Sequence, residues 1–212
     1  MDSKDHMVFV VDDDPRVGEA LSELLSSLEL RVTVFNSANE YIASPKPDVP
    51  TCLVLDVQLP DVNGLDLQGQ LAHRGHPPIV FITGHGDIPT SVRAMKAGAV
   101  DFLPKPFGRE QLLRAIEEAL VRDTRSRLYR SHIDELKERF SRLTPRERDV
   151  LPLVVSGLLN KQAASLLGIS ETTLQIHRGQ IMRKMAAGSL AELVRMAAKL
   201  EVVLPSSEPS PL

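Results

Sequence analysis

Five short apolar runs punctuate the first 120 residues: Met7–Val11, Arg31–Phe35, Cys52–Leu55, Ile79–Ile82 and Asp101–Leu103. Between them, apolar positions recur at three- and four-residue spacing in Pro15–Leu28, Ala38–Ala43, Leu65–Ala72, Pro89–Ala97 and Arg109–Leu120. Leu21, Leu24, Leu25 and Leu28 form one such stripe, the period of an amphipathic helix. The short runs are apolar at nearly every position, as strands are when a parallel sheet is covered on both faces. Strand and helix in regular alternation predict a doubly wound α/β domain with five parallel strands over 1–120.

The pattern then changes. Residues 121–138 are polar and Arg-rich, with Leu128, Ile133 and Leu136 at helical spacing and no Gly or Pro. They predict a stiff helical linker rather than a loose tether. From Leu143 the helix signals crowd together. Thr144-Pro145-Arg146-Glu147 has the form of a capping box with proline at the first helical position. That helix is expected to run to about Ser156 and stop at Gly157, with Pro152 kinking it. Asn160–Leu167 predicts a second helix ended by Gly168, Ser170 caps a third reaching Met185, and Ser189 caps a fourth ending near Lys199. Residues 139–204 thus predict a small all-α four-helix domain. The Pro/Ser-rich tail 205–212 is expected to be disordered.

Charge separates the same two regions. Residues 1–120 hold ten basic and eighteen acidic side chains, a net −8, whereas 138–204 hold ten and six, a net +4. Different partners for the two halves follow, although +4 alone is weak support for nucleic acid. The single cysteine, Cys52, excludes an internal disulfide framework and a thiolate metal cluster. Its apolar neighbours mark it as a buried hydrophobe. No apolar run approaches the ~20 residues of a membrane span, and Met1–His6 lack a signal-peptide core. A cytoplasmic protein fits these facts.

Placing the polar residues on the predicted strands locates the chemistry. Asp12, Asp13 and Asp14 follow the first strand, Asp56 the third, Thr83 the fourth and Lys105 the fifth. In an open parallel sheet, ligands bind outside the carboxyl ends of the strands, so these residues should converge. Crowded carboxylates call for a hard cation, and oxygen-only ligands suit Mg²⁺. A carboxylate beside such a cation and an ammonium can attack an incoming phosphoryl group. Taken singly, Asp12–Asp14 would be a solvated turn and Lys105 a surface lysine; the convergence over four strands argues otherwise.

Val10-Val11-Asp12-Asp13, Leu55-Asp56, Pro60-Asp61-Val62-Asn63-Gly64, Thr83-Gly84-His85 and Lys105-Pro106-Phe107 resemble the signatures of response-regulator receivers, which have a flavodoxin-like fold. Ile82–Phe107 is similar to the FixJ subgroup of the NarL/FixJ family. The resemblance implies that Asp56 is the phosphoacceptor of a sensor histidine kinase. It also implies that Mg²⁺ is held by Asp13 directly, Asp12 through water, Asp56 and the carbonyl of Gln58. Thr83 and Lys105 would contact the phosphoryl group, Lys105-Pro106 would be cis, and Phe102 would be the aromatic that changes rotamer. Phosphorylation would then bias the face from Pro89 to Leu103 toward a homodimer, with Val92, Met95 and Lys96 as interface candidates. Core packing of Val92 and Met95 is an equally weighted alternative.

Leu143–Arg148, Gly157, Asn160-Lys161, Ala163-Ala164, Leu167-Gly168-Ile169-Ser170 and Thr173–Arg178 resemble a LuxR-type helix-turn-helix. The resemblance implies that the helix from Glu171 enters the major groove of promoter DNA. Thr172, Gln175, His177, Arg178 and Gly179 are its expected outward residues, with Leu174 and Ile181 inward. Lys161, Arg183 and Lys184 would hold phosphates. Gln175 stands where such domains often carry lysine, and Gly179 where they carry Ser, Asn or a basic residue. The whole implies a transcription factor of a two-component system, not an enzyme, with RNA polymerase as a further partner. A small-molecule aspartyl phosphotransferase would need extra loops above the site, and the connections here are short. A regulator that uses its first domain only for protein contacts would have a disabled acidic site, and all five polar positions are present.

Overall fold

A computed structural model describes residues 6–71, 76–84 and 86–202. The expected tail 205–212, His85, Ala72 at the end of one expected helix, and the first five residues lie outside these. The chain divides into two compact units, Met1–Arg127 and Leu128–Leu212.

In the first unit, β1 (Met7–Val11), β2 (Arg31–Phe35), β3 (Thr51–Asp56), β4 (Ile79–Thr83) and β5 (Asp101–Pro104) form one parallel sheet ordered β2-β1-β3-β4-β5. Side chains alternate between its faces. Val8, Val10, Cys52, Val54, Val80 and Ile82 pack against Leu21 and Leu25 of α1 (Pro15–Ser26) and Leu112 and Ile116 of α5 (Arg109–Ser141). Phe9, Val11, Leu53, Leu55, Ile79 and Phe81 pack against α2 (Ala38–Ala43), α3 (Gly64–Leu71) and α4 (Ile88–Lys96) through Tyr41, Leu67 and Ala94. Burial on both faces explains why the strands read as continuous apolar runs. Cys52 is fully buried, and burial pushes its thiol pKa up.

The expected helical linker, 121–138, lies within the single helix α5, continuing the last helix of the first domain, and the boundary between the two units falls inside it, after Arg127. In the first unit, Asp123 of α5 is buried and accepts the Thr51 N–H at 2.9 Å and Arg127 Nε at 2.6 Å, while Arg127 also pairs with Asp48 at 2.7 Å. These bonds tie α5 to the start of β3. In the second unit, Leu136 is fully buried, and Ile133 and Phe140 pack beside it. Leu128 is exposed.

The rest of the second unit comprises α6 (Pro145–Val155), α7 (Asn160–Leu167), α8 (Glu171–Met185) and α9 (Leu190–Lys199). Its core gathers Val150, Leu151, Ala163, Ala164, Leu174, Ile181, Met185 and Leu193. The capping box is present in both directions: Glu147 N–H donates to Thr144 Oγ1 at 3.3 Å, and Thr144 N–H to Glu147 Oε2 at 2.7 Å. Ser170 and Ser189 cap α8 and α9. Gly168 closes α7 at φ +64°, a backbone state that glycine adopts without strain. Pro152 lies inside α6 without ending it. Among the described residues no helix is long and apolar enough to cross a membrane.

Candidate functional site

The strand order places the first unit's site. The chain reverses direction across the sheet between β1 and β3, and the crevice at such a point opens at the strands' carboxyl ends. There Asp12, Asp13 and Asp56 bring carboxylate oxygens within 4.8 Å of one another. Asp12 is fully buried, Asp56 is buried and Asp13 is exposed. Lys105 Nζ donates to Asp12 Oδ2 and to Asp56 Oδ2, each at 2.6 Å. Asp12 Oδ1 accepts the Asp14 N–H at 3.0 Å, and Asp56 Oδ1 the Gln58 N–H at 2.9 Å.

Burial pushes the Asp12 pKa up, and the bonds from Lys105 and the Asp14 amide only partly oppose it. Burial works against the Lys105 ammonium, but its two carboxylate partners outweigh that and hold its pKa above the usual value. Three acids gathered round one ammonium remain short of positive charge. The donor set is all oxygen, which fits a hard divalent cation.

Neighbouring residues hold this arrangement in place. Lys105-Pro106 is cis, and the Lys105 N–H donates to the Thr83 carbonyl at 2.6 Å. Thr83 is fully buried. Gly64 at the start of α3 lies so close to β3 that an added Cβ would sit 2.4 Å from the Asp56 carbonyl oxygen. Asp61 accepts the N–H groups of Ala38 and Asn39, at 3.3 and 2.9 Å. It therefore caps α2 and takes no part in the acid cluster. Phe102 is half-buried with its ring centroid 6.2 Å from that of Phe81. A Cβ on Gly86 would meet both the Phe102 ring edge, at 3.2 Å, and the Thr83 methyl, at 3.3 Å. Val92 and Met95, with Lys96 beside them on α4, are exposed, so core packing does not account for them.

In the second unit, Leu174, Ile181 and Met185 of α8 are fully buried. Thr172, Gln175, Gly179 and Arg183 are exposed, as is Lys161 on α7. Three of the residues expected to meet DNA lie less outward than the others. At about 100° per residue, His177 and Arg178 fall close to the Leu174–Ile181 stripe, and both are only partly exposed. Arg178 donates to Asn160 Oδ1 at 3.1 Å, binding α8 to the start of α7. Lys184 is held inward: its Nζ donates to Glu147 Oε1 and Oε2 at 3.0 and 2.7 Å, and Glu147 is itself buried. Burial works against the Glu147 carboxylate, but Lys184 and the cap donors at Thr144 overcome it and hold its pKa below the usual value. Lys184 thus fastens α8 to α6. Ile176, which sequence reasoning passed over, leaves 59% of its surface exposed on the outward side of α8; helical spacing from Thr172 and Gly179 would have placed it there. Arg183 also bonds Gln180 Oε1.

Residues 8–117 match the model of the response regulator receiver domain, and residues 141–197 that of bacterial regulatory proteins of the luxR family. Nodulation protein W of Bradyrhizobium diazoefficiens is 51% identical over 197 residues, covering 92% of this chain and 87% of that one. Transcriptional regulatory protein FixJ of Azorhizobium caulinodans is 42% identical over 205 residues, covering 96% and 97%. Among solved structures, the low-resolution structure of the response regulator StyR is similar at 48% identity with a TM-score of 0.80, covering 92% of this chain and 99% of that one.

Proposed function

The chain belongs to the response regulators that join a receiver to a LuxR-type DNA-binding domain, and from that membership we propose a phosphorylation switch centred on Asp56. A sensor histidine kinase supplies the phosphoryl group. One Asp56 carboxylate oxygen attacks phosphorus, forming an acyl phosphate as the donor's bond to phosphorus breaks. The observation that carries this reading is the bridging of Asp12 and Asp56 by Lys105, at 2.6 Å to each. The same ammonium stands ready to neutralise the transferred oxygens.

Asp12, Asp13, Asp56 and the Gln58 carbonyl would hold Mg²⁺, which supplies further neutralisation of charge on those oxygens when bound. Thr83 hydrogen-bonds the phosphoryl group once it is in place. Gly86, packed between Thr83 and Phe102, passes that change on to α4 and β5. The α4 face with Val92, Met95 and Lys96 then pairs with a second copy. Dimerisation brings two copies of α8 to two half-sites of promoter DNA, and linkage of the sites raises affinity. Thr172, Gln175, Ile176 and Gly179 face the bases, while Lys161 and Arg183 hold phosphates. RNA polymerase is the onward partner of the bound dimer. In this reading the protein acts in the cytoplasm, where its promoter DNA lies.

Sedimentation with labelled duplex from around the protein's own locus tests this proposal. Wild type and Asp56→Asn are compared with and without acetyl phosphate and Mg²⁺. Tighter self-association and DNA binding in the treated wild type alone is the expected result. Equal dimerisation and binding by both proteins in all conditions would remove phosphorylation control.

A further inference from the structure

The outward side of α8 is short of charge for a surface that meets DNA. Opposite its buried Leu174–Ile181–Met185 stripe lie Thr172, Ile176, Gly179 and Arg183, with Gln175 at the edge, and all five are exposed. From Thr172 to Gly179 the one cation is Arg178, and it is directed to Asn160. The commonest specific contact to guanine is a bidentate Arg or Lys, so this stretch offers no outward residue for it.

Two further features point to a different base pair. Gly179 has no left-handed backbone, and a Cβ there would meet nothing within 4 Å. Neither conformation nor crowding inside the protein calls for glycine, although it weakens a helix interior by ~1 kcal/mol relative to Ala. A side-chain-free step on a helix surface suits close approach of something outside the chain. One turn before it, Ile176 projects an apolar side chain on the same side, and Gln175 beside it offers a donor and an acceptor together. Apolar side chains pack on the thymine C5 methyl, and Gln pairs bidentately with adenine N6 and N7.

We propose that α8 reads A·T pairs: Ile176 packs on a thymine methyl, Gln175 pairs with an adenine, and Gly179 lets the helix backbone approach the base edges between them. This rests on the reading above that α8 enters the major groove. Its specificity comes from one methyl and one amide rather than from cations.

Selection from a random duplex pool by the full-length protein, with acetyl phosphate and Mg²⁺, supplies the preferred site. Each thymine of that site is then replaced by deoxyuridine, which removes only the methyl group. Wild type should lose about fourfold in affinity at one thymine per half-site, the effect of a single buried methyl. Ile176→Ala should bind the two duplexes alike, and Gln175→Ala should lose about tenfold, together with its preference for adenine at one position. Helical content of Ile176→Ala, exposed in the wild type, checks that its fold is kept. A selected site with no methyl-sensitive thymine, or unchanged sensitivity in Ile176→Ala, overturns the proposal alone. A wild type that selects no sequence overturns the placement of α8 in the groove as well.

Discussion

Removing the Lys105 ammonium should destabilise the receiver and make its stability depend on Mg²⁺. Lys105 contacts two carboxylates at 2.6 Å, and the side chains of Asp12 and Asp56 are 0% and 8% exposed. Lys105→Ala leaves both without that cation. Breaking a buried pair from one side costs about 3–5 kcal/mol, and the 22% exposure of the Lys105 side chain places the loss near the lower end, about 3 kcal/mol. A bound divalent cation can stand in for the ammonium, and ligand at a hundred times its Kd contributes about 2.7 kcal/mol. Saturating Mg²⁺ should therefore restore most of the loss. The chain has no tryptophan and two tyrosines. Tyr41 is buried in the first unit and Tyr129 is exposed, so tyrosine fluorescence in urea follows the receiver. At about 1.5 kcal/mol per molar urea, the midpoint should fall by about 2 M without Mg²⁺ and recover with it. A midpoint within about 0.3 M of wild type, or a full loss that Mg²⁺ does not reverse, would refute this account of the acid cluster.

Other outcomes follow from the same geometry. Glu147 has a lowered pKa, so its contribution to stability is present above the unfolded value of 4.5 and is lost as pH falls through the folded value. Glu147→Gln should cost about 2 kcal/mol at pH 7 and flatten the acid limb of the second unit's thermal unfolding curve. In salt titrations of DNA binding, Lys161→Ala and Arg183→Ala should each lower the slope by about 1. Lys184→Ala should instead leave the slope unchanged and lower Tm. Met95→Glu should keep the receiver folded, since Met95 is 45% exposed, and abolish the dimer that acetyl phosphate induces in analytical ultracentrifugation.

Much of the receiver was legible because its signals are local. β1, β2 and α2 match the expected bounds residue for residue, β4 and β5 run one residue longer at one end, and β3 one residue longer at each end. Covered parallel strands are apolar at nearly every position, so the polar residues at or just past their ends, Asp56 and Lys105 among them, stand out. The meeting of Lys105 with Asp56 and Asp12, 49 and 93 positions away, was legible because the strand ends bring them together; long-range contacts away from the strands' carboxyl ends were not. Asp123 bonds the amide of Thr51, 72 positions away, and this bond places residues 121–127 in the receiver. Lys184 finds Glu147 at a separation of 37, and no spacing rule links them. His177, Arg178 and Ile176 differ: the period of the helix held their orientation, and weighting polar residues over the apolar Ile176 obscured it.

The claim that Asp56 takes a phosphoryl group in a Mg²⁺-dependent step is tested most directly by mass spectrometry of the intact protein after acetyl phosphate treatment, with borohydride trapping to locate the modified residue. The account predicts one phosphoryl group on the wild type, at Asp56, only when Mg²⁺ is present, and none on Asp56→Asn. Incorporation at another residue, or equal incorporation by wild type and Asp56→Asn, would contradict it.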